Sequence, residues 1–208
     1  MRAVIFTPFS EHALPKDELP RRGDLVLCAD VAYRTATALG IVPDLILGDF
    51  DHGEETAFPP ASTVIRVPSE KDDTDTMLCL KEAVARGADE IVILGGIGGR
   101  LDHTVANLQT LAYAAERGIA VHLTDGVSEA RLLMPGCHSL PKRREKYLSL
   151  FAFGGDVKGI TLTGVKYPLS DAALLPSFPL GVSNEITGEK ATLSFRSGKL
   201  LVIFSSDF

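Results

Sequence analysis

The sequence has no tryptophan, three cysteines and five histidines in 208 residues. Without tryptophan, any stacking on a ligand ring falls to Phe, Tyr or an aliphatic wall. Cys28, Cys79 and Cys137 are odd in number, widely spaced and without a CxxC pair. That argues against a disulfide framework and for reduced thiols in a cytoplasm. A basic surplus is missing too: 21 Lys and Arg face 27 Asp and Glu, a formal net charge of -6. Polyanion binding rests on cationic side chains releasing counterions, so nucleic acid is disfavoured as a partner, while a small phosphate ligand screened by metal is not. No apolar run approaches the roughly 20 residues that cross a bilayer, so no membrane partner is expected. Met1 to Thr7 is apolar but short, lacks a small-residue cleavage pattern and is followed by the charged stretch Glu11 to Asp24; it reads as a first strand rather than a leader.

What remains, 45% hydrophobic and 23% charged residues, is the composition of an ordinary water-soluble globule. At this length folding buries roughly 70% of the unfolded surface. The first two thirds alternate short apolar runs with helical patterns, the mark of a parallel sheet wrapped by helices. Expected strands are Ala3 to Thr7, Leu25 to Ala29, Leu45 to Leu47, Val64 to Val67, Ile91 to Leu94 and Ala120 to Leu123. One helix is expected over Thr74 to Arg86, with Met77, Leu80 and Val84 inward, Asp72 or Asp73 as cap and Gly87 as stop. A second is expected over Asp102 to Arg117, with Val105, Leu108 and Ala112 inward and Gly118 at its end. Beyond Asp125 the pattern becomes short strands and turns: Lys146 to Phe153, Gly159 to Tyr167, Ala191 to Phe195 and Leu200 to Ser205. These are too closely spaced for crossover helices, so a boundary near Gly126 to Lys142 and a small antiparallel β domain follow.

Three polar clusters carry the candidate chemistry. Gly48-Asp49-Phe50-Asp51 follows an apolar run; in extended backbone Asp49 and Asp51 point the same way and can present two carboxylates to one hard cation, naturally magnesium. A polar turn ending a strand is the competing reading. Lys71-Asp72-Asp73-Thr74-Asp75 opens the first helix. Capping explains one Asp; Asp72 and Asp75, three apart, share a face, and Lys71 suits a phosphate oxygen. Gly95-Gly96-Ile97-Gly98-Gly99-Arg100-Leu101-Asp102-His103 lies between a buried strand and a helix start. Its glycines let backbone approach a ligand and aim amides at it, and Arg100 offers a forked donor to phosphate. Asp102 could cap the helix, orient Arg100 or contact metal. The string is neither GxGxxG with its ribose-binding acid nor a Walker loop, which disfavours ordinary dehydrogenases and P-loop kinases. Asp30 ends the second expected strand, where ligands gather in open α/β sheets; capping a helix that begins near Val31 is the equal alternative. His103 is either a neighbour of a nucleotide or a structural histidine.

Taken in order, Ala29-Asp30, Gly48-Asp49-Phe50-Asp51, Lys71-Asp72-Asp73-Thr74-Asp75, Gly99-Arg100-Leu101-Asp102-His103 and Ser183-Asn184-Glu185 resemble the thiamine pyrophosphokinase family over almost the whole chain. The resemblance implies an α/β fold: a Rossmann-like, mostly parallel sheet with flanking helices in an ATP-binding catalytic domain (1–130), and an antiparallel β-sandwich that binds thiamine (140–208). It implies a homodimer with active sites between subunits, in the cytoplasm that the cysteine pattern already suggests. It also implies that Asp49, Asp51 and Asp75 hold Mg2+ on ATP, that Asp72, Thr74, Arg100 and Asp102 line the same pocket, and that Ser183 and Asn184 contact the aminopyrimidine of thiamine. Asp30, Lys71, Thr74, Gly98, Gly99, Arg100 and His103 are the expected nucleotide contacts; Asp72, Asp75, Arg100 and Asp102 are the expected catalytic set. Asp30 is followed here by Val31 and Ala32 rather than the family's usual two glycines, His52 stands where serine is common, and the tryptophan that some members stack on the pyrimidine is missing. The expected reaction is in-line attack of the thiamine hydroxyl on the β-phosphorus of ATP, with AMP leaving and Asp72 the candidate proton acceptor. A metal-dependent phosphohydrolase, a nucleotide-sugar transferase and a nucleotide-sensing module are the rival readings.

Overall fold

The structure is a computed structural model and describes residues 1–50 and 57–207. The chain divides into two units, Met1–Gly126 and Val127–Phe208.

In the first unit the strands are β1 (Arg2–Phe6), β2 (Leu25–Ala29), β3 (Leu45–Gly48), β4 (Thr63–Arg66), β5 (Glu90–Leu94) and β6 (Ala120–Thr124). They pair in parallel in the order β6-β5-β1-β2-β3-β4. Ala3 to Phe6, Val26 to Ala29 and Leu45 to Gly48 are buried without interruption, as strands covered on both faces must be. The chain steps outward from β1 to β4, then crosses back to β5 on the other side of β1. That reversal leaves a crevice at the carboxyl ends of β1 and β5. The helices are α1 (Tyr33–Ala38), α2 (Asp75–Ala85) and α3 (Leu101–Ala115). No described helix is long and apolar enough to cross a membrane.

Several local expectations change. α2 is capped by Thr74, whose hydroxyl accepts from the Met77 amide at 3.2 Å, rather than by Asp72 or Asp73. Its buried face carries Thr76, Cys79, Leu80 and Ala83, so Met77 and Val84 lie at the margin. In α3 the buried face is Asn107, Thr110, Leu111, Ala112, Ala114 and Ala115, whereas Val105 is exposed. Asp30 is the first residue of a 3-10 turn over Asp30–Ala32, and Ala32 precedes α1 without a side-chain cap.

The second unit contains β7 (Glu129–Leu133), β8 (Gly136–Pro141), β9 (Tyr147–Ala152), β10 (Val157–Thr163), β11 (Leu169–Leu174), β12 (Gly181–Asn184), β13 (Lys190–Phe195) and β14 (Leu200–Ser205). They form two antiparallel layers, β12-β9-β14-β7 and β11-β10-β13-β8. Leu148, Leu150, Val202 and Phe204 from one layer pack with Ile160, Leu162, Leu193 and Phe195 from the other. Alternation of buried and exposed residues along β10 and β13 gives each strand one face to this core. The fold is thus mixed α/β, a parallel sheet with flanking helices followed by an antiparallel β-sandwich.

Candidate active site

A cleft of about 540 Å3 opens at the carboxyl ends of β1, β2, β3 and β5 in the first unit. Its lining draws on Thr7 to Phe9 after β1, Asp30 and Val31 after β2, and Asp49 after β3. Ser69, Lys71 and Asp73 to Thr76, then Gly96, Gly98 and Arg100 of the glycine loop, complete it together with His103 and Asn107. The reversal of strand order therefore places segments far apart in sequence around one cavity. Left-handed backbone occurs at the non-glycine Asp30 in its lining, with φ 47°, and at Phe50, next to the lining residue Asp49, with φ 53°. Asp30 is also buried, and a Cβ on Gly48 would lie 2.8 Å from its Cα, which is why the residue before Asp49 is glycine.

The acids meet at a lysine. Lys71 Nζ is 3.3 Å from Asp49 Oδ2 and 3.1 Å from Asp75 Oδ1, with the three side chains only 16%, 16% and 22% exposed. Burial pulls the Lys71 pKa down, but contacts with Asp75 and then Asp49 outweigh it and hold the value above that of an ordinary lysine. Asp75 Oδ1 is shut off from water, and its contact with Lys71 is ionic rather than an aligned hydrogen bond. Asp73 lines the cleft and is held by Lys81 at 2.6 Å. Asp72 is exposed and stands outside the described lining. Asp51 and His52 lie outside the described residues.

The glycine loop departs from the expected amide cradle. Gly95 N–H donates to the Thr124 carbonyl, Gly96 N–H to the Phe9 carbonyl and Gly98 N–H to the Thr104 hydroxyl, at 2.8, 2.7 and 3.1 Å. These donors are already used, so the loop offers the cleft close backbone approach rather than those three amides. Asn107, buried in α3, donates to the Gly96 carbonyl at 2.9 Å, and Thr7 Oγ1 donates to the Leu94 carbonyl at 2.9 Å. Beneath the loop lies the Phe9 ring, 2.9 to 3.1 Å from where a Cβ on Gly99 would stand. Gly99 itself does not line the cavity.

Arg100 lines the cavity, and Asp102 orients it: Nη2 donates to Oδ2 at 2.6 Å and Nε to Oδ1 at 3.2 Å. The pair is open to solvent, 73% and 63% exposed. The bond from Arg100 lowers the Asp102 pKa, and that from Asp102 raises the Arg100 pKa. Asp102 is not itself in the described lining; Arg100 is the residue preceding α3 and makes no side-chain cap. His103 is exposed and lines the cleft.

In the second unit Ser183 and Asn184 end β12. Ser183 is exposed, has φ 57°, and its amide donates to Ser149 Oγ at 3.0 Å. Asn184 is buried, and its amide group is bonded to Tyr167 backbone.

Family models divide the chain along these lines: one for "Thiamin pyrophosphokinase, catalytic domain" matches residues 17–123, and one for "Thiamin pyrophosphokinase, vitamin B1 binding domain" matches residues 137–200. The chain belongs to the thiamin pyrophosphokinase family. It is 35% identical over 173 residues to the thiamine pyrophosphokinase of Bacillus subtilis, covering 81% of each chain. Thiamin pyrophosphokinase 1 of Caenorhabditis elegans is 26% identical, over 77% of this chain and 70% of that one. Among solved structures, the Bacillus subtilis enzyme superposes with a TM-score of 0.87 at 30% identity over the whole of both chains. The Geobacillus thermodenitrificans thiamin pyrophosphokinase gives 0.85 at 30% identity, covering 100% of this chain and 98% of that one.

Thr7, Phe9, Ser69 and Asn107 line the cleft although no motif points to them. A signal existed for the first two. Thr7-Pro8-Phe9 follows the first strand directly, and ligand crevices lie at the carboxyl ends of strands beside a reversal in order. Asn107 had the weaker signal of an amide on the inward face of a helix.

Proposed function

We propose that the cleft of the first unit holds the triphosphate of ATP against a magnesium ion, open to the primary hydroxyl of thiamine. The reaction follows from the family: a diphosphate group passes from ATP to thiamine, giving thiamine diphosphate and AMP. The observation that carries the assignment to this cleft is the convergence of Asp49 and Asp75 on one ammonium group. Two carboxylates that already share a cation position suit a hard divalent ion that takes oxygen ligands. Asp49 and Asp75 would hold it, with Asp51 as the third ligand that the family resemblance implies; the left-handed φ of 53° at Phe50 breaks the extended backbone on which the spacing argument for Asp51 rested. When bound, such an ion neutralises phosphate charge and polarises the phosphorus under attack.

The chain's own residues supply positioning and charge, which is most of what phosphoryl chemistry asks of a protein. Arg100, aimed by Asp102, presents a two-pronged donor to phosphate oxygens. Lys71 and His103 add donors from other sides of the cavity, and Asp30 and Thr74 border it. Gly98 and Gly99 let the loop turn over Phe9. Attack of the hydroxyl on the β-phosphorus then needs no covalent enzyme intermediate. Asp72 and Asp73 are the two carboxylates from which the acceptor of the hydroxyl proton is sought, and asparagine variants of each separate them.

The sandwich unit contributes Ser183 and Asn184 to thiamine within a cytoplasmic homodimer. The left-handed backbone at Ser183 supports a ligand role there, since such strain persists where function holds it. Exposed apolar side chains on one short stretch, Leu175, Phe178, Leu180 and Val182, support a second copy as partner. The unpaired thiols of all three cysteines support a reducing compartment.

Incubation of the protein with ATP and Mg2+, with and without thiamine, tests the function. AMP and thiamine diphosphate in equal amounts, formed only when thiamine is present, is the expected result. Phosphate release from ATP alone would instead favour a hydrolase, and tight ATP binding without turnover a sensing module. Sedimentation equilibrium reports the dimer.

A further inference from the structure

We infer that Lys71 is a resident counterion, which occupies the cation position between Asp49 and Asp75 until a divalent ion enters and is then released toward the phosphates of the incoming nucleotide. The inference rests on the reading of Asp49 and Asp75 as metal ligands and adds a task for the lysine between them.

The two acids are fixed and the lysine is not. Asp49 directly follows β3, and Asp75 opens α2, whose start is pinned by the Thr74 cap. Lys71 sits in the segment between β4 and α2, outside any helix or strand, on a flexible four-carbon stem. Its partners come from different elements: one is four residues away along the chain, the other 22. Asp73 is held by Lys81 at 2.6 and 2.8 Å, whereas Asp49 and Asp75 both lie against the Lys71 ammonium. Two carboxylates around one singly charged group suit a divalent ion with oxygen ligands in its place. The displaced lysine then stands free beside the cavity it lines, where a polyphosphate attracts it. A purely structural brace would need only the helical partner Asp75 and would not reach across to the end of β3.

The test uses the full chain without nucleotide, titrated with Mn2+ and followed by electron paramagnetic resonance. Lys71→Met and Lys71→Gln are expected to bind Mn2+ about tenfold tighter than the parent, because a cation at contact distance no longer competes. Lys81→Met removes a nearby positive charge without vacating the position and is expected to gain less than about threefold. Without metal, the Lys71 variants are expected to melt lower than the parent, and Mg2+ is expected to raise their melting temperature more than it raises the parent's. Unchanged or weaker Mn2+ binding in both Lys71 variants overturns the inference, as does an equal gain in Lys81→Met. Asp49→Asn and Asp75→Asn tell the two layers apart. If either leaves Mn2+-dependent ATP binding at the parental level, the metal reading falls and takes the inference with it. If both abolish it while the Lys71 variants show no gain, only the inference falls.

Discussion

Asn184 grips Tyr167 with both ends of its amide: Oδ1 accepts from the Tyr167 amide at 3.0 Å, and Nδ2 donates to the Tyr167 carbonyl at 2.7 Å. The same Oδ1 accepts from Glu185 N–H at 2.9 Å. An asparagine on β12 thus does the work of a ladder for a residue lying between β10 and β11. Replacing it by alanine leaves Tyr167 backbone groups without partners in a part-buried setting, at a cost of about 1–3 kcal/mol. Asn184→Ala is therefore expected to lower the denaturant midpoint as well as weaken thiamine binding. Ser183→Ala is expected to raise the KM for thiamine with stability nearly unchanged. Denaturation and KM measured side by side decide it; a stable Asn184→Ala would sink the holding role.

Gly99 is constrained twice. Its φ of 61° disfavours any side chain, and a Cβ there would press on the Phe9 ring at 2.9 Å. Gly99→Ala is expected to cost about 1–2 kcal/mol from backbone conformation alone, plus the ring contact, and to raise the KM for ATP by shifting Arg100. Adding Phe9→Ala should recover the contact but not the backbone cost. A double-mutant cycle with a coupling near zero would show that the ring does not shape the loop.

The parallel sheet was legible because strands covered on both faces read as unbroken apolar runs, as Val4-Ile5-Phe6 and Leu45-Ile46-Leu47 do. The short edge strands were not. β8 buries Leu140 and leaves most of its other residues exposed, while β12 spans four residues with an irregular register. Neither alternation nor an apolar run survives in such pieces. The inward face of α3 was misread for a different reason. Asn107 occupies a buried position that apolar periodicity assigns elsewhere, and its burial is tolerated because Gly96 accepts its amide hydrogen. The acids of the site could be picked out as residue types. That Lys71 would lie between Asp49 and Asp75 depends on β3 and α2 meeting at one end of the sheet, a tertiary fact.

The start of α2 offers a clean test of which residue caps it. Thr74→Ala removes the acceptor for the Met77 amide and is expected to cost about 1 kcal/mol. Asp73→Ala loses an ion pair with Lys81 whose side chains are 31% and 40% exposed, worth about 0–1 kcal/mol. Equilibrium urea unfolding ranks them. Were Asp73→Ala the costlier change, the cap would have been assigned to the wrong residue.

Acid stability depends on a carboxylate remote in sequence from the motifs. Glu18 accepts from Arg2 Nη2 at 3.0 Å and lies 3.3 Å from His122 Nε2. Contact with the His122 ring is the largest influence on it; together with the pull of Arg2 it outweighs burial and lowers the Glu18 pKa from 4.5 to about 2. A depressed folded-state pKa means that the unfolded chain takes up the proton first as pH falls. The stability Glu18 supplies is therefore fully present above its unfolded value of 4.5 and drains away as pH drops through about 2. Glu18→Gln cannot titrate, so its deficit relative to the parent is expected to be largest at neutral pH and to shrink steadily across that window. Urea unfolding at a series of pH values from neutrality down reads this directly. A deficit that stays constant through the window would show that the Glu18 carboxylate gains nothing from Arg2 and His122 in the folded state.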